Sequence, residues 1–154
     1  MPDTPERSDD RGGAVADALQ HVLGNTCRLA VTTLSFHWNV TGPRFGALHD
    51  LFEAQYCELW AALDPIGERI RALGHPALAD HADEVVVPFL DGRGALPMAD
   101  RMRHVLADGH ANIEIALQAA LDVAQGAGDE GTAAILGERL VAHGKHRWML
   151  RAFD

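Results

Sequence analysis

The spacing of apolar side chains along the chain predicts four long amphipathic helices. Over four stretches, apolar residues recur in steps of three and four, which places them on one face of an α-helix. The stretches are Ala14 to about Val40, Phe45 to about Leu73, about Met98 to Ala124, and residue 129 or 130 to about Phe153. Signals for β-strands are few, because the one dense valine cluster, residues 85–87, runs straight into Pro88. The pattern therefore predicts an all-α fold.

Glycine and proline residues mark where these helices end or bend. Gly42-Pro43 ends the first helix, and the glycines of residues 126–128 end the third. Pro65 lies inside the second helix, where it lacks an N–H and crowds the carbonyl four residues earlier. The apolar stripe stays in phase beyond it. We therefore expect one continuous helix with a kink near Ala61.

The lengths of the connections predict how the helices are arranged. Short links join helices 1 and 2 and helices 3 and 4, whereas residues 75–97 form a long link with a short helix around Leu78 to Asp83. This pattern is typical of a ferritin-like four-helix bundle with a long crossover between helices 2 and 3. We expect residues 1–12 to form a mobile acidic arm and residues 13–154 to form one domain.

Charge and cysteine content indicate which partners and which cellular compartment to expect. The formal net charge is -9, and the acidic arm would repel the phosphate backbone of a nucleic acid. Cys27 and Cys57 lie far apart without a CxxC spacing, which is typical of free thiols in a reducing compartment. The sequence shows no secretion signal and no apolar run of the roughly 18 residues that a membrane span needs. We therefore expect a cytoplasmic protein.

Two pairs of potential metal ligands lie on helix 2. His49 and Glu53 are four residues apart, as are Asp64 and Glu68, so each pair occupies adjacent turns of one face. All four fall within a sector of roughly 100°, at about 100° per residue. A rise of about 1.5 Å per residue nevertheless separates Glu53 from Asp64 by roughly 16 Å, too far to share one ion. A single helix cannot close this site.

A second copy of helix 2, antiparallel across a two-fold axis, would close it. In one register His49 faces the partner subunit's Glu68, and Glu53 faces the partner subunit's Asp64, which generates two identical sites. Because both pairs have the same spacing, this register shows only that the dimer is geometrically possible. Trp60 would lie near the axis, opposite Cys57 of the other copy.

His37, at the end of helix 1, could reach the neighbourhood of His49. Each site would then combine these five residues: His37, His49, Glu53, Asp64 and Glu68. Mixed imidazole and carboxylate ligands suit iron, manganese or zinc better than calcium, and the lack of cysteine argues against a structural zinc knuckle. The alternative for each residue alone is a solvated acidic helix face or a hydrogen-bonded histidine.

The five residues lie in the segments HWNVTGPRF, LHDLFE and LDPIGERIRALG. At these segments the sequence resembles the Dps family, the mini-ferritins named for DNA protection in starved cells, and the resemblance extends more loosely through GDEGTAAIL and WMLRAF. It implies a hollow dodecamer with ferroxidase sites at two-fold interfaces. These sites oxidise Fe(II), often with hydrogen peroxide, and ferric mineral is stored inside the shell.

The resemblance carries over residue by residue. His37, His49, Asp64 and Glu68 match family ligands, while Glu53 stands where some relatives have Asp. Trp38 resembles the family's aromatic beside the site, although packing is an equal alternative.

Other positions depart from the family pattern. Ala134 replaces an acid that helps line an iron-entry pore in many relatives, which leaves Asp129 and Glu130 as nearby candidates; they could also act as charges at a helix N-terminus. Gly144 stands where relatives often have Glu.

Three functions remain open at this point. The leading hypothesis is a peroxide-consuming ferroxidase, and the alternatives are a DNA-binding nucleoid-protection protein and a helical assembly without a metal role. The remaining histidines suggest no further site. His110 and His143 are expected to be hydrogen-bonded in the core. The others are expected on the surface or in loops: His21, His75, His81, His104 and His146.

Overall fold

The computed structural model describes residues 10–78 and 95–153, which form four helices. These are α1 (Asp10–Asn39), α2 (Phe45–Ala72), α3 (Ala99–Ala127) and α4 (Glu130–Arg151). The described residues contain no strand, so the all-α prediction is confirmed. Helix α1 begins at Asp10, so residues 10–12 of the expected arm belong to its first turn, while residues 1–9 lie outside the described residues. The short helix expected from Leu78 also falls outside them, apart from Leu78 itself.

The helix ends follow local chemistry. Helix α3 ends at Ala127, within the predicted stop at residues 126–128 and three residues beyond the predicted last residue, Ala124. Gly128 follows as its C-cap in the left-handed conformation with φ 72°. Helix α2 runs without a break through Pro65, as predicted. Both Pro65 and Ala61 are exposed, so solvent can reach the Ala61 carbonyl that Pro65 cannot bond.

Contacts at the two ends of the bundle define its topology. At one end Arg44, just before α2, donates to the carbonyl of Phe153 at 2.5 Å and pairs with Asp100 in the first turn of α3. At the other end Arg69, near the end of α2, pairs with Asp129 just before α4 at 2.7 Å. Helices α2 and α3 therefore point the same way, and the link between them must cross the length of the bundle. The predicted crossover is confirmed.

The core lies between two hairpins, α1 with α2 and α3 with α4, which pack together through α1 on α3 and α2 on α4. Its largest fully buried side chains come from all four helices and include Leu19, Phe36, Phe52, Ile66, Leu106, Leu117 and Leu136. Helices α1 and α3 pack closely at Gly109, where an added Cβ would lie 2.7 Å from Cδ1 of Leu29. Within residues 10–78 and 95–153, no helix is both long and apolar enough to cross a membrane.

Candidate metal centre

Two histidines face each other where α1 turns into α2. His37 is buried in the last turn of α1, and His49 is half-buried near the start of α2. The Nδ1 atom of each ring lies 2.9 Å from the backbone oxygen of the other residue. The rings stack with their centroids 3.8 Å apart. Because a carbonyl oxygen can only accept, each Nδ1 carries a proton, and each Nε2 keeps a lone pair that can bind a metal.

Glu53 completes a three-residue group with these rings. It lies one turn after His49 on α2 and is exposed. His37, His49 and Glu53 each offer one ligand atom, and these atoms lie within 4.8 Å of one another. Two imidazoles and one carboxylate form a ligand set suited to a divalent transition metal, with coordination positions left for further ligands or an oxidant.

The other two predicted ligands lie elsewhere on α2. Asp64 and Glu68 are exposed and line an open groove of about 1090 Å³ beside Trp60 and Cys27. At about 1.5 Å per residue, Asp64 lies roughly 16 Å along α2 from Glu53. One chain therefore gathers three of the five predicted residues and leaves two facing outward.

Aromatic side chains surround the three-residue group. The Tyr56 ring meets the His37 ring edge-on at a centroid distance of 5.3 Å, and the Phe45 ring lies 5.0 Å from that of His49. A hydrogen bond with Cys57 raises the pKa of the Tyr56 phenol. Trp38 is 68% exposed, so packing within its own chain does not explain why a tryptophan occupies this position. Sequence reasoning missed Tyr56 as a neighbour, although its position three residues after Glu53 would have indicated the same helix face.

A second group of ionisable side chains, the buried polar cluster, lies between α2, α3 and α4. It comprises the buried residues His110, Arg139, His143 and His146 and the half-buried Glu58. The prediction that His110 and His143 are buried is confirmed, but His146, expected at the surface, is only 8% exposed. Glu58 on α2 supplies the carboxylate of this cluster, which the sequence analysis did not identify. A signal for the cluster was present in α4, because residues 139, 143 and 146 share one helix face.

Burial controls the ionisation of this cluster. Desolvation lowers the pKa of His110 to about 2, and the neighbouring His143 adds to the effect. Desolvation and the adjacent Arg139 lower the pKa of His143 to about 3. Burial opposes ionisation of Glu58, but hydrogen bonds from His146 and Arg139 outweigh it and hold its pKa well below the ordinary range. The two central histidines are therefore neutral at pH 7.

Comparison with known proteins assigns the chain to a family. A sequence model of the ferritin-like domain matches residues 16–154. A DNA protection during starvation protein from Brevibacillus brevis is 34% identical over 140 residues, which cover 90% of this chain and 93% of that protein. The chain belongs to the Dps family of ferritin-like proteins. A second relative in the family, DNA protection during starvation protein 2 from Bacillus anthracis, is 32% identical over 77% of this chain and 82% of its own length.

Solved Dps structures share the whole fold. The crystal structure of a Dps protein from Bacillus brevis superimposes with a TM-score of 0.85 at 32% identity, over 95% of this chain and 98% of that chain. Dps from Thermosynechococcus elongatus gives a TM-score of 0.84 at 29% identity, over 93% and 91% of the two chains. The predicted ferritin-like bundle is thereby confirmed.

The structure shows the surroundings of Ala134 and Gly144, which depart from the Dps pattern, and of the nearby acids Asp129 and Glu130. Asp129 caps α4 by accepting from the Thr132 N–H at 2.9 Å and pairs with Arg69, so its carboxylate is engaged within the chain. Gly144 leaves space on α4 in which an added Cβ would lie 3.5 Å from Oε1 of Glu114. Ala134 and Glu130 are both exposed.

Proposed function

We propose that this Dps-family chain is a ferroxidase and iron-storage protein. It oxidises Fe(II) with hydrogen peroxide and stores ferric iron in a hollow shell in the cytoplasm, which limits oxidative damage. The expected shell is a dodecamer with metal sites at its two-fold interfaces. The observation that carries the proposal is the group His37, His49 and Glu53, whose ligand atoms lie within 4.8 Å of one another.

The chemistry of this group favours iron as the substrate. Imidazole nitrogens bind Fe(II), and carboxylates offset its charge and favour the ferric product. The reciprocal hydrogen bonds of His37 and His49 hold each ring in the tautomer that presents Nε2. The net charge of -9 also raises the local concentration of cations.

The partner subunit's Asp64 and Glu68 supply the remaining ligands in this proposal. Both residues are exposed beside the groove that contains Trp60, which is itself 57% exposed. An antiparallel copy of α2 seated there buries this tryptophan and brings the carboxylates opposite His49 and Glu53. The site is thus complete only in the dimer.

The proposed reaction uses two Fe(II) ions for each peroxide. Each ion gives up one electron, the O–O bond of hydrogen peroxide breaks, and two protons are taken up as two water molecules form. The chain holds the iron and keeps the reduced oxygen atoms from leaving as free radicals. DNA binding is not favoured, because the chain carries 13 lysines and arginines against 22 acidic residues.

The test measures peroxide-driven Fe(II) oxidation without oxygen in the parent, in His49→Ala, in Asp64→Ala and in the double variant. His104→Ala, at an exposed position on α3, is the control. We expect each ligand variant to lose at least about tenfold in rate, as is typical when metal coordination is disturbed, and the control to match the parent. A double variant as fast as the parent would show that iron is oxidised elsewhere.

A further inference from the structure

The buried polar cluster forms most of a closed ring of hydrogen bonds inside the bundle. Arg139 donates to both oxygens of Glu58 and approaches Nε2 of His143 at 3.3 Å. Nδ1 of His143 lies 2.8 Å from Nδ1 of His110. On the other side of the ring, Nε2 of His146 lies 2.9 Å from Glu58.

Arg139 sets the direction of these hydrogen bonds. A guanidinium group can only donate, so Nε2 of His143 accepts and its Nδ1 carries the proton. That proton is donated to Nδ1 of His110, which leaves the proton of His110 on Nε2. The depressed pKa values of His143 and His110 agree with one proton on each ring. Every donor from Arg139 to His110 therefore points the same way around the ring.

Glu58 determines the direction of the hydrogen bond on the other side of the ring. An ionised carboxylate can only accept, so Nε2 of His146 donates to it. When the His146 ring carries one proton, on Nε2, its Nδ1 is an acceptor.

The ring is open at one place, between His110 and His146. Nε2 of His110 and Nδ1 of His146 are both buried, and neither has a hydrogen-bond partner among the described residues. His110 is fully buried, and the centroids of the two rings are 5.2 Å apart. Two buried ring nitrogens without partners in the described part of the chain thus lie on neighbouring rings, and a water molecule could pair with both. Leaving both atoms unpaired would carry the desolvation penalty of two buried polar groups.

We propose that one water molecule binds between His110 and His146, accepts from the first, donates to the second and closes the ring. The closed ring joins α2, α3 and α4. Along the path through the three histidines, every hydrogen bond is donated in the direction from Arg139 to Glu58, so these bonds reinforce one another. A buried water with two polar partners at this site matches the ordinary behaviour of buried waters in proteins.

The ring also determines where this bundle does not bind metal. Di-iron helical bundles hold their ions in the core with glutamate and histidine side chains. Here the lone pairs of the core histidines accept hydrogen bonds. Nε2 of His110 carries a proton, and Arg139 adds a positive charge, so neither favours a cation. The buried polar cluster is therefore unsuited to a divalent metal, and the group of described residues that could hold one within a single chain is His37, His49 and Glu53.

Neutron crystallography of the deuterated full-length protein tests the ring. We expect one D₂O between His110 and His146, a deuteron on Nδ1 but not Nε2 of His143, and one on Nε2 of His110. A His110→Phe variant, which keeps a ring of similar size without nitrogens, should lose the bound D₂O. The proposal is overturned by no solvent density between the rings, by a deuteron on Nε2 of His143, or by a second deuteron on His146.

A separate experiment tests whether the buried polar cluster binds a metal. Crystals of the parent soaked in Zn²⁺ alone should show anomalous scattering beside His49 and none within the buried polar cluster. A zinc peak bound by His110 or His146 would overturn the inference. A missing peak beside His49 would instead count against the proposed ferroxidase site and leave the ring untouched, so the two failures are distinguishable.

Discussion

At the scale of single residues, His110 and His143 determine how the stability of the bundle depends on pH. Both are fully buried and neutral, with pKa values lowered to about 2 and about 3. In the unfolded chain a histidine has a pKa of about 6.5. As pH falls below that value, the unfolded state binds protons that the folded state does not bind. The free energy of unfolding therefore decreases with acidification.

We expect each of these two histidines to lower the free energy of unfolding by about 2 kcal/mol between pH 8 and pH 5. Urea unfolding across this range measures the slope. His110→Phe should remove the contribution of one histidine from the pH-dependent change in the free energy of unfolding. His104→Phe, at an exposed position on α3, should leave that change as in the parent. Profiles of equal slope in the parent and His110→Phe would show that His110 already takes up a proton in the folded bundle.

A second prediction at this scale compares two glycines of α3. A Cβ at Gly109 would lie 2.7 Å from Leu29, whereas a Cβ at Gly126 would meet nothing within 4 Å. Gly126→Ala should raise the free energy of unfolding by up to about 1 kcal/mol through helix propensity. Gly109→Ala should fail to gain this and lose about 1–3 kcal/mol to overpacking of α1 on α3. Thermal or urea unfolding measures both, and equal gains would mean that Leu29 moves aside freely.

At the scale of the helices, Asp129 joins the start of α4 to the end of α2. Its carboxylate accepts from the N–H and the hydroxyl of Thr132 and pairs with Arg69. Burial opposes its ionisation, but these hydrogen bonds and the positive charge of Arg69 lower its pKa. Asp129→Ala should therefore reduce the free energy of unfolding by about 1–2 kcal/mol, the upper part of the range for an N-cap. Glu138→Ala, at an exposed position of α4, is the control in the same unfolding assay, and equal small losses in both would refute the cap.

The helices were predictable from sequence because each buries one regular apolar stripe. The reversal at Gly42-Pro43 brings His37 beside His49, and the four-residue spacing adds Glu53, so the grouping of these three candidate ligands could be predicted without coordinates. The buried polar cluster could not be predicted from sequence, because Glu58 and His146 are 88 residues apart in the chain and only the packed bundle brings them together. The same limit applies to Asp64 and Glu68, whose proposed partners belong to another copy.

At the scale of the whole molecule, the proposed site is shared between subunits, and mixing variants tests the sharing. His49→Ala and Asp64→Ala subunits should each be inactive alone. In a mixed dimer one site loses both ligands, while the other contains His49 from one chain and Asp64 from the other. Refolding the two variants together should therefore restore up to about one quarter of the parent's peroxide-driven Fe(II) oxidation, since half the dimers are mixed and each has one intact site of two.

The control is each variant refolded with itself, which should stay inactive. Parent-like activity of Asp64→Ala alone would mean that the partner's carboxylate is not needed. Mixtures without any recovery would contradict the shared site, provided that light scattering shows the assembly to be intact.

The crossover between α2 and α3 also determines where attachments to this chain would emerge. Gln20 of α1 donates to the carbonyl of Pro76 beyond α2, whereas Phe153 accepts from Arg44 before α2. Residues 10 and 153 therefore stand at opposite ends of the bundle, separated by about the length of α2, or roughly 42 Å for its 28 residues. Fluorophores attached at residues 11 and 153 would therefore lie at opposite ends of the bundle. A circular permutant would need a linker of at least about 12 extended residues to join residues 10 and 153.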